Sequence, residues 1–312
     1  NADRQLQGTG IGEHTNGRLA TINNALVWLL RSGKNVFCYK ADLNFLFNDN
    51  RYDFASRPTT LFKAATLHAE QNVRRLEFSG SAQYVRRFAD DYFVRVALRH
   101  ALQSHRTTTI NDSLGMNNPA LKTPYSFYDN GAELSLNKDQ GKFRFGIGGI
   151  LHLFSLQSSR QLAFGVSPKA AVSPLLNLTY RLSMTHYMDL RLKSRYQLAS
   201  SGALIDGPSI ESFRRVNYAG VENALEHTTE LTAMQVYANI MKGITLFNML
   251  SLSYNHNAIV NDYRMQDGLV SRVVSRNVSG GKGLILAAMI EKRLVNTPLN
   301  MRLFGGISLA QA

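Results

Sequence analysis

The stretch Leu175 to Leu198 alternates apolar and polar side chains twice, once on each side of a short break. Leu176, Leu178, Tyr180, Leu182 and Met184 take the even positions of the first arm, with Asn177, Thr179, Arg181 and Ser183 between them. In the second arm Met188, Leu190, Leu192, Tyr196 and Leu198 alternate with Asp189, Arg191, Lys193, Arg195 and Gln197. A period of two dictates extended strand, because successive side chains leave a strand on opposite faces. Alternation alone fits a soluble sandwich as well as a membrane barrel. Length, charge density and repetition separate the two. Each arm runs about ten residues, the span of a tilted strand through a bilayer. The pair reads as two staves of a transmembrane β-barrel, with the apolar side to lipid and the charged side to the lumen.

The same rhythm recurs along the chain, at Arg18–Arg31, Asn35–Asn48, Val73–Val85, Tyr92–His105, Ala132–Asn137, Lys142–Leu153, Thr232–Ile240, Thr245–Tyr254, Lys282–Leu294 and Leu299–Leu309. With the opening hairpin this gives about twelve strands in about six hairpins. Links inside hairpins are short. Between hairpins the alternation lapses over 49–71, 107–129, 155–173, 199–228 and 255–281, and these read as long loops. Short links at one end and long links at the other are how outer-membrane barrels are built, whereas a sandwich spreads its loop lengths more evenly. The fold class is therefore all-β, an antiparallel up-and-down transmembrane barrel, with 1–312 as a single barrel domain. If the short turns are periplasmic, the first strand runs down and the last runs up. Barrels of this class have periplasmic termini, so the expectation is a larger barrel of about 14 to 22 strands, incomplete here at one or both ends.

Composition narrows the function. No run of 18 apolar residues exists, so helical spans are excluded. The opening Asn1–Gly17 is polar and carries no apolar signal region, which suggests a mature or trimmed chain. The single cysteine, Cys38, rules out an internal disulfide and argues against a cysteine metal site. Eight histidines are scattered without metal-ligand spacing. Gly8-Thr9-Gly10-Ile11-Gly12 resembles a phosphate loop but no apolar strand precedes it and no helix follows, and Gly280-Gly281-Lys282-Gly283 opens a strand. No serine has a recognisable base. The expectation is a protein that is not an enzyme, with no cofactor and no metal.

Thirty-five basic against 22 acidic side chains, a net of +13, point to acidic partners. Arg95, Arg99, Arg144, Arg181, Arg191, Lys193, Arg195 and Arg302 fall on the polar face of their strands, as do Lys40 and Arg75. They read as lumen-facing, either as a solvated wall with Asp42, Glu77, Glu133 and Asp189 as counter-ions or as a basic channel that attracts anionic solutes. A nucleic-acid surface would interleave aromatics with the cations. Here Phe37, Tyr39, Phe45, Phe78, Tyr84, Tyr92 and Tyr180 sit on the opposite face, which favours outer-membrane lipid and lipopolysaccharide over nucleic acid. Tyr84, Tyr92 and Tyr254 suit an interfacial girdle.

Two stretches carry a family likeness: Ser173-Pro174-Leu175-Leu176-Asn177-Leu178-Thr179-Tyr180-Arg181, and Ile210-Glu211-Ser212-Phe213-Arg214-Arg215 leading to Tyr218-Ala219-Gly220. Tyr237-Ala238-Asn239 and Phe247–Tyr254 extend it. These resemble the C-terminal barrel half of TonB-dependent receptors of the kind abundant in Bacteroidetes. The resemblance implies a bacterial outer-membrane location, a plug, energy from TonB, and a surface lipoprotein or other outer-membrane subunits as partners. The sequence shows neither a plug nor a TonB box, and no binding residue is carried over. The first function expected is solute uptake across the outer membrane. The alternative is a non-transporting barrel that scaffolds or assembles surface proteins.

Overall fold

The computed structural model of the chain describes residues 2–6, 11–55, 66–89, 91–111, 120–158, 165–199, 204, 209–212, 215–218, 221–239, 241–266, 270–294 and 299–311. Among these there is no α-helix. The strands are β1 (Ala2–Leu6), β2 (Ile11–Ser32), β3 (Asn35–Ala55), β4 (Thr66–Arg87), β5 (Tyr92–Asn111), β6 (Ala120–Lys138), β7 (Phe143–Ser158) and β8 (Ala170–Ser183). They continue as β9 (His186–Leu198), β10 (Ser209–Ser212), β11 (Arg215–Tyr218), β12 (Leu225–Asn239), β13 (Ile244–Gln266), β14 (Val270–Val278), β15 (Gly281–Arg293) and β16 (Asn300–Gln311).

Sequence neighbours pair antiparallel from β1 to β9, then β9 pairs β12 and β12 pairs β13. The long β13 pairs β15 along its first half and β14 along its second. β14 and β15 are therefore two parts of one path, separated by Gly280 at φ 88°. Counted so, twelve long staves run up and down, with β16 last. The short β10 and β11 form a side ladder, β11 lying parallel to β14. Among the described residues, β16 has no neighbour beyond β15, and β2 none beyond the short β1, so the sheet is open.

The strands are much longer than the alternating segments that announce them. β2 to β6 run 22, 21, 22, 20 and 19 residues. Most of what reads as loop is strand. Asp49–Ala55 keeps its ladder with both β2 and β4, 120–129 pairs with β5, and 258–266 pairs back with 270–278. The reason is solvation. Alternation marks only the part of a strand with lipid on one side. Once a strand leaves the bilayer both faces are wet, and the hydrogen-bonded ladder persists without the pattern.

Burial runs opposite to that of a soluble protein. In β6, Glu133 is 2% and Ser135 3% exposed, while Leu134 and Leu136 between and beside them are 61% and 40% exposed. In β5, Leu98 is 62% exposed beside a buried Ala97. Leaving such leucines in water would forfeit roughly 25 cal/mol for each Å². Register carries the same face across the sheet: Val96, Leu134, Gly149 and Pro174 are successive rung partners, as are Leu136, Ile147, Leu176, Leu192 and Leu231.

Two aromatic levels bound this apolar face. At the short-turn end, Trp28 meets Phe37 at 5.8 Å, Phe88 stacks on Tyr92 at 6.0 Å, and Tyr92 meets Phe145 at 6.3 Å. Further up, Phe78, His100 and Tyr128 form a second row, at 6.0 and 6.3 Å. Along β5 the two levels, Tyr92 and His100, are separated by Val94, Val96 and Leu98 on the same face. At the rise and tilt of barrel strands that is a band about 20 Å tall, close to the apolar height of outer-membrane barrels. Tyr84 and Tyr92 thus sit where a girdle needs them.

One glycine is fixed by close approach. A Cβ at Gly148 would collide with the Leu134 carbonyl and lie 2.6 Å from the Ser135 Cβ. Only a hydrogen there lets β6 and β7 close their ladder. Gly148→Val should force the two strands apart and lower the yield of folded barrel several-fold, read as the heat-modifiable band on a gel. Gly305, whose Cβ would meet nothing within 4 Å, should tolerate alanine in the same assay.

Candidate vestibule on the polar face

The wall of the sheet splits near its upper end. The β8–β9 ladder stops at Leu175–Lys193, although β8 stays paired with β7 as far as Ala170 and β9 with β12 as far as Leu198. The next residue on β8 is Pro174, which has no N–H to give. Above the split, Tyr196 packs against His152 and Phe154, at 5.6 and 5.3 Å. Those two residues belong to the polar-side register of β7, with Arg144. Tyr196 then stacks on His227 at 4.1 Å, and His227 on His256 at 4.2 Å. His227 Nε2 lies 2.7 Å from Ser194 Oγ, and His256 Nε2 lies 3.0 Å from Thr229 Oγ1. This corrects the sequence reading, which assigned Tyr196 and Leu198 to lipid. The free top of β9 lets Leu198 join Leu225, Tyr125, Phe127 and Phe154 in a small buried core.

Segments from between the strands complete that core. Leu204, Val221 and Ala224 are buried in it. Gly165 pairs with Asn223, and Asn277 of β14 holds the second segment in place. Its Oδ1 accepts from the Glu222 and Asn223 amides at 2.9 and 3.0 Å, and its Nδ2 donates to the Asn223 carbonyl at 2.8 Å. Asn277→Leu would leave those backbone groups unpaired, at about 1–2 kcal/mol of local stability. Amide exchange at Glu222 and Asn223 should then speed up about tenfold or more, with the barrel still folded.

Against this core, sharing Tyr125 and Leu198 with it, lies a cavity of about 560 Å³. One side is built by Arg75 and Glu77 of β4, Gln103 and His105 of β5, and Tyr125 of β6. The other is built by Gln197 and Leu198 of β9, Glu226 of β12, and Ile259 and Asn261 of β13. It therefore bridges distant strands across the polar side of the sheet. Arg75 is ion-paired with Glu77, which also accepts from Asn44 Nδ2 at 3.2 Å. Tyr125 stacks on His105 at 5.2 Å. Glu226 Oε1 accepts the Ile259 amide at 3.0 Å. Such a lining offers hydrogen bonds, one guanidinium and two carboxylates, and no nucleophile with a base. Among the described residues no group of three potential metal ligands gathers anywhere.

The basic residues singled out in the sequence do not form one cluster. Arg95 and Arg99 converge on the buried Glu133, and Arg95 Nε also donates to Ser135 Oγ at 3.3 Å. Arg191 Nε lies 2.5 Å from Asp189, which also accepts from Thr179 Oγ1 at 2.7 Å. Arg302 pairs with Glu291 through Nε and Nη2, at 3.0 and 2.8 Å. Arg144 Nε is buried without a hydrogen-bond partner, and Arg181 is exposed near a turn. Lys193 faces Glu230 across a rung, and Arg195 faces Thr228, one register step below Gln197. Sequence reasoning missed Tyr125, Glu226 and Asn261 as members of a site. All three lie where alternation has lapsed, so no periodic signal marks them.

No protein-family model matches the sequence, and no curated protein matches it. Solved structures do match in fold. The copper transporter OprC superposes with a TM-score of 0.65 at 15% identity, over 97% of this chain and 48% of OprC. The ferric citrate transporter FecA, in its unliganded form, gives 0.59 at 9% identity, over 96% of this chain and 43% of FecA. The RagAB peptide transporter gives 0.58 at 9% identity, over 96% and 37%. The chain thus spans less than half the length of each. Its fold is that of the up-and-down β-barrel wall of these transporters.

Proposed function

We propose that the chain is part of the wall of an outer-membrane importer that takes up a polar solute. The observation that carries this is the inverted burial of β6, with leucines outward and Glu133 and Ser135 buried, next to a polar cavity that bridges strands on the same side. Outward leucines need lipid; a buried polar face beside a polar cavity of about 560 Å³ needs an enclosed lumen. In this reading 1–312 is one barrel domain, and further strands close its open edges in the whole protein. Arg95, Arg99, Arg144, Arg181, Arg191, Lys193, Arg195 and Arg302 line the lumen. Four of them are paired in place, Arg95 and Arg99 with Glu133, Arg191 with Asp189 and Arg302 with Glu291. TonB as energy source and a surface lipoprotein as companion come with the family resemblance. The importer is tested by deleting the gene and following depletion of a mixed pool of polar solutes by mass spectrometry. At least one solute should persist in the medium of the deletion strain and be taken up again on complementation.

The scaffold reading has one observation in its favour, the apolar core of Leu204, Val221, Ala224 and Leu225 packed at the upper end of the wall. It predicts an unchanged solute profile on deletion, together with the loss of other surface proteins from the membrane fraction.

A further inference from the structure

We propose that the short-turn end of the wall binds the phosphate headgroups of anionic phospholipids. The reading does not rest on import, since a barrel that transports nothing would hold the same lipids. The excess of basic residues is unevenly placed. The five segments where alternation lapses, 49–71, 107–129, 155–173, 199–228 and 255–281, carry eleven basic and eleven acidic side chains. The short-turn segments 31–34, 86–91, 138–142, 181–185, 239–243 and 292–299 carry ten basic and three acidic. Neighbouring strands pair antiparallel, so the topology gathers all six short turns at one end of the sheet. Outer-membrane barrels turn that end to the periplasmic side.

Three of these cations end the lipid-facing row of their own strand. In β4 the row runs Ala82, Tyr84, Arg86, and its rung partners Leu98, Val96 and Val94 carry the outward face of β5. In β6 it runs Leu134, Leu136, Lys138, and in β15 Leu286, Ala288, Ile290, Lys292. Lys138 Nζ lies 5.5 Å from the ring centroid of Tyr92, within the lower aromatic level. Lys292 Nζ donates to the Lys242 carbonyl at 2.7 Å, which gathers two cations at the β12–β13 turn. A cation at the edge of the hydrocarbon keeps its stem in the apolar layer and its charge among headgroups. Among the described residues no carboxylate pairs with Arg86, Lys138 or Lys292, while Arg87 takes Asp139 at 3.9 Å. Phe88, Met184 and Met241 stand exposed on three of the turns, apolar side chains suited to the boundary between headgroup and acyl chain. Phosphate is the counter-ion that such a row meets there.

The test uses the full-length protein reconstituted in phosphatidylcholine bilayers. Trace spin-labelled phosphatidylglycerol and spin-labelled phosphatidylcholine, with the same chains, report how much of each the protein surface holds. A basic residue near an anionic membrane surface is worth about fivefold in binding, so phosphatidylglycerol should be favoured by about that factor at low salt. The preference should fade at about 1 M salt, where screening reaches about 3 Å. Arg86→Gln, Lys138→Gln and Lys292→Gln together should bring it below about twofold. Lys169→Gln, Arg264→Gln and Arg276→Gln, toward the other end, should leave it unchanged. So should the charge-keeping set Arg86→Lys, Lys138→Arg and Lys292→Arg. The heat-modifiable band shows that each variant is folded. Equal retention of the two lipids by the unaltered protein would overturn the proposal and turn the rim toward an acidic protein partner. A preference that survives the first triple variant, or falls as far in the second, would overturn it too. A preference indifferent to salt would do the same, whether or not the triple variant folds.

Discussion

A barrel carrying Leu192→Arg should fail to enter the membrane, while one carrying Arg191→Leu should enter it. The two positions are adjacent on β9 and face opposite ways. Leu192 is the rung partner of Leu176 on one side and Leu231 on the other, in the middle of the apolar face. An arginine there meets hydrocarbon, at a cost of about 2–4 kcal/mol near the bilayer midplane. That is a large share of the stability that an ordinary domain has to lose. Arg191 instead pairs with Asp189, and its removal leaves that carboxylate the Thr179 hydroxyl at 2.7 Å as a remaining donor. Asp189→Asn in the same background should recover whatever stability is lost, because it removes the orphaned charge. Heat-modifiability after assembly into liposomes reads both variants. Equal tolerance of the two would mean that the leucine face does not meet lipid.

How much of this was legible in the sequence depends on where each residue stands relative to the bilayer. Inside it, one face is greasy and the other wet, and 175–192 announces strand, register and orientation unaided. The staves named from alternation are the observed ones, down to the turn at Ser32-Gly33 and the break before His186. Outside it, the same strands continue with no pattern to follow, so alternation stops at Asn48 where β3 runs on to Ala55, and starts at Ala132 where β6 begins at Ala120. The vestibule lies in that patternless zone. Tyr125 and Glu226 are brought together by register counted across several strands, which no local spacing encodes. Tyr196 and Leu198 depart from their alternation for a different reason. Their parity is that of Leu192, but β9 is free of β8 above Pro174, and there Tyr196 packs against His152 and Phe154 and Leu198 joins the buried core.

The largest electrostatic effect expected is at Glu133. Its carboxylate is buried, and both Arg95 and Arg99 close on it from the neighbouring strand. The two arginines are part-exposed, at 34% and 48%, so water screens each of them in a way it does not screen the carboxylate between them. Glu133→Leu would leave two like charges side by side with no counter-ion and only Ser135 to bind the nearer one. Removing one member of a buried ion pair costs about 3–5 kcal/mol, and the partial exposure of the arginines brings this to about 2–3 kcal/mol. Urea unfolding in detergent should show that loss. The same leucine placed with Arg95→Met and Arg99→Met should restore most of the stability, since a triad replaced whole leaves no unpaired charge. If Glu133→Leu alone were neutral, the carboxylate would not be holding the two strands, and the picture of a lumen wall whose cations are balanced in place would have to give way to one in which they are free to bind an anion.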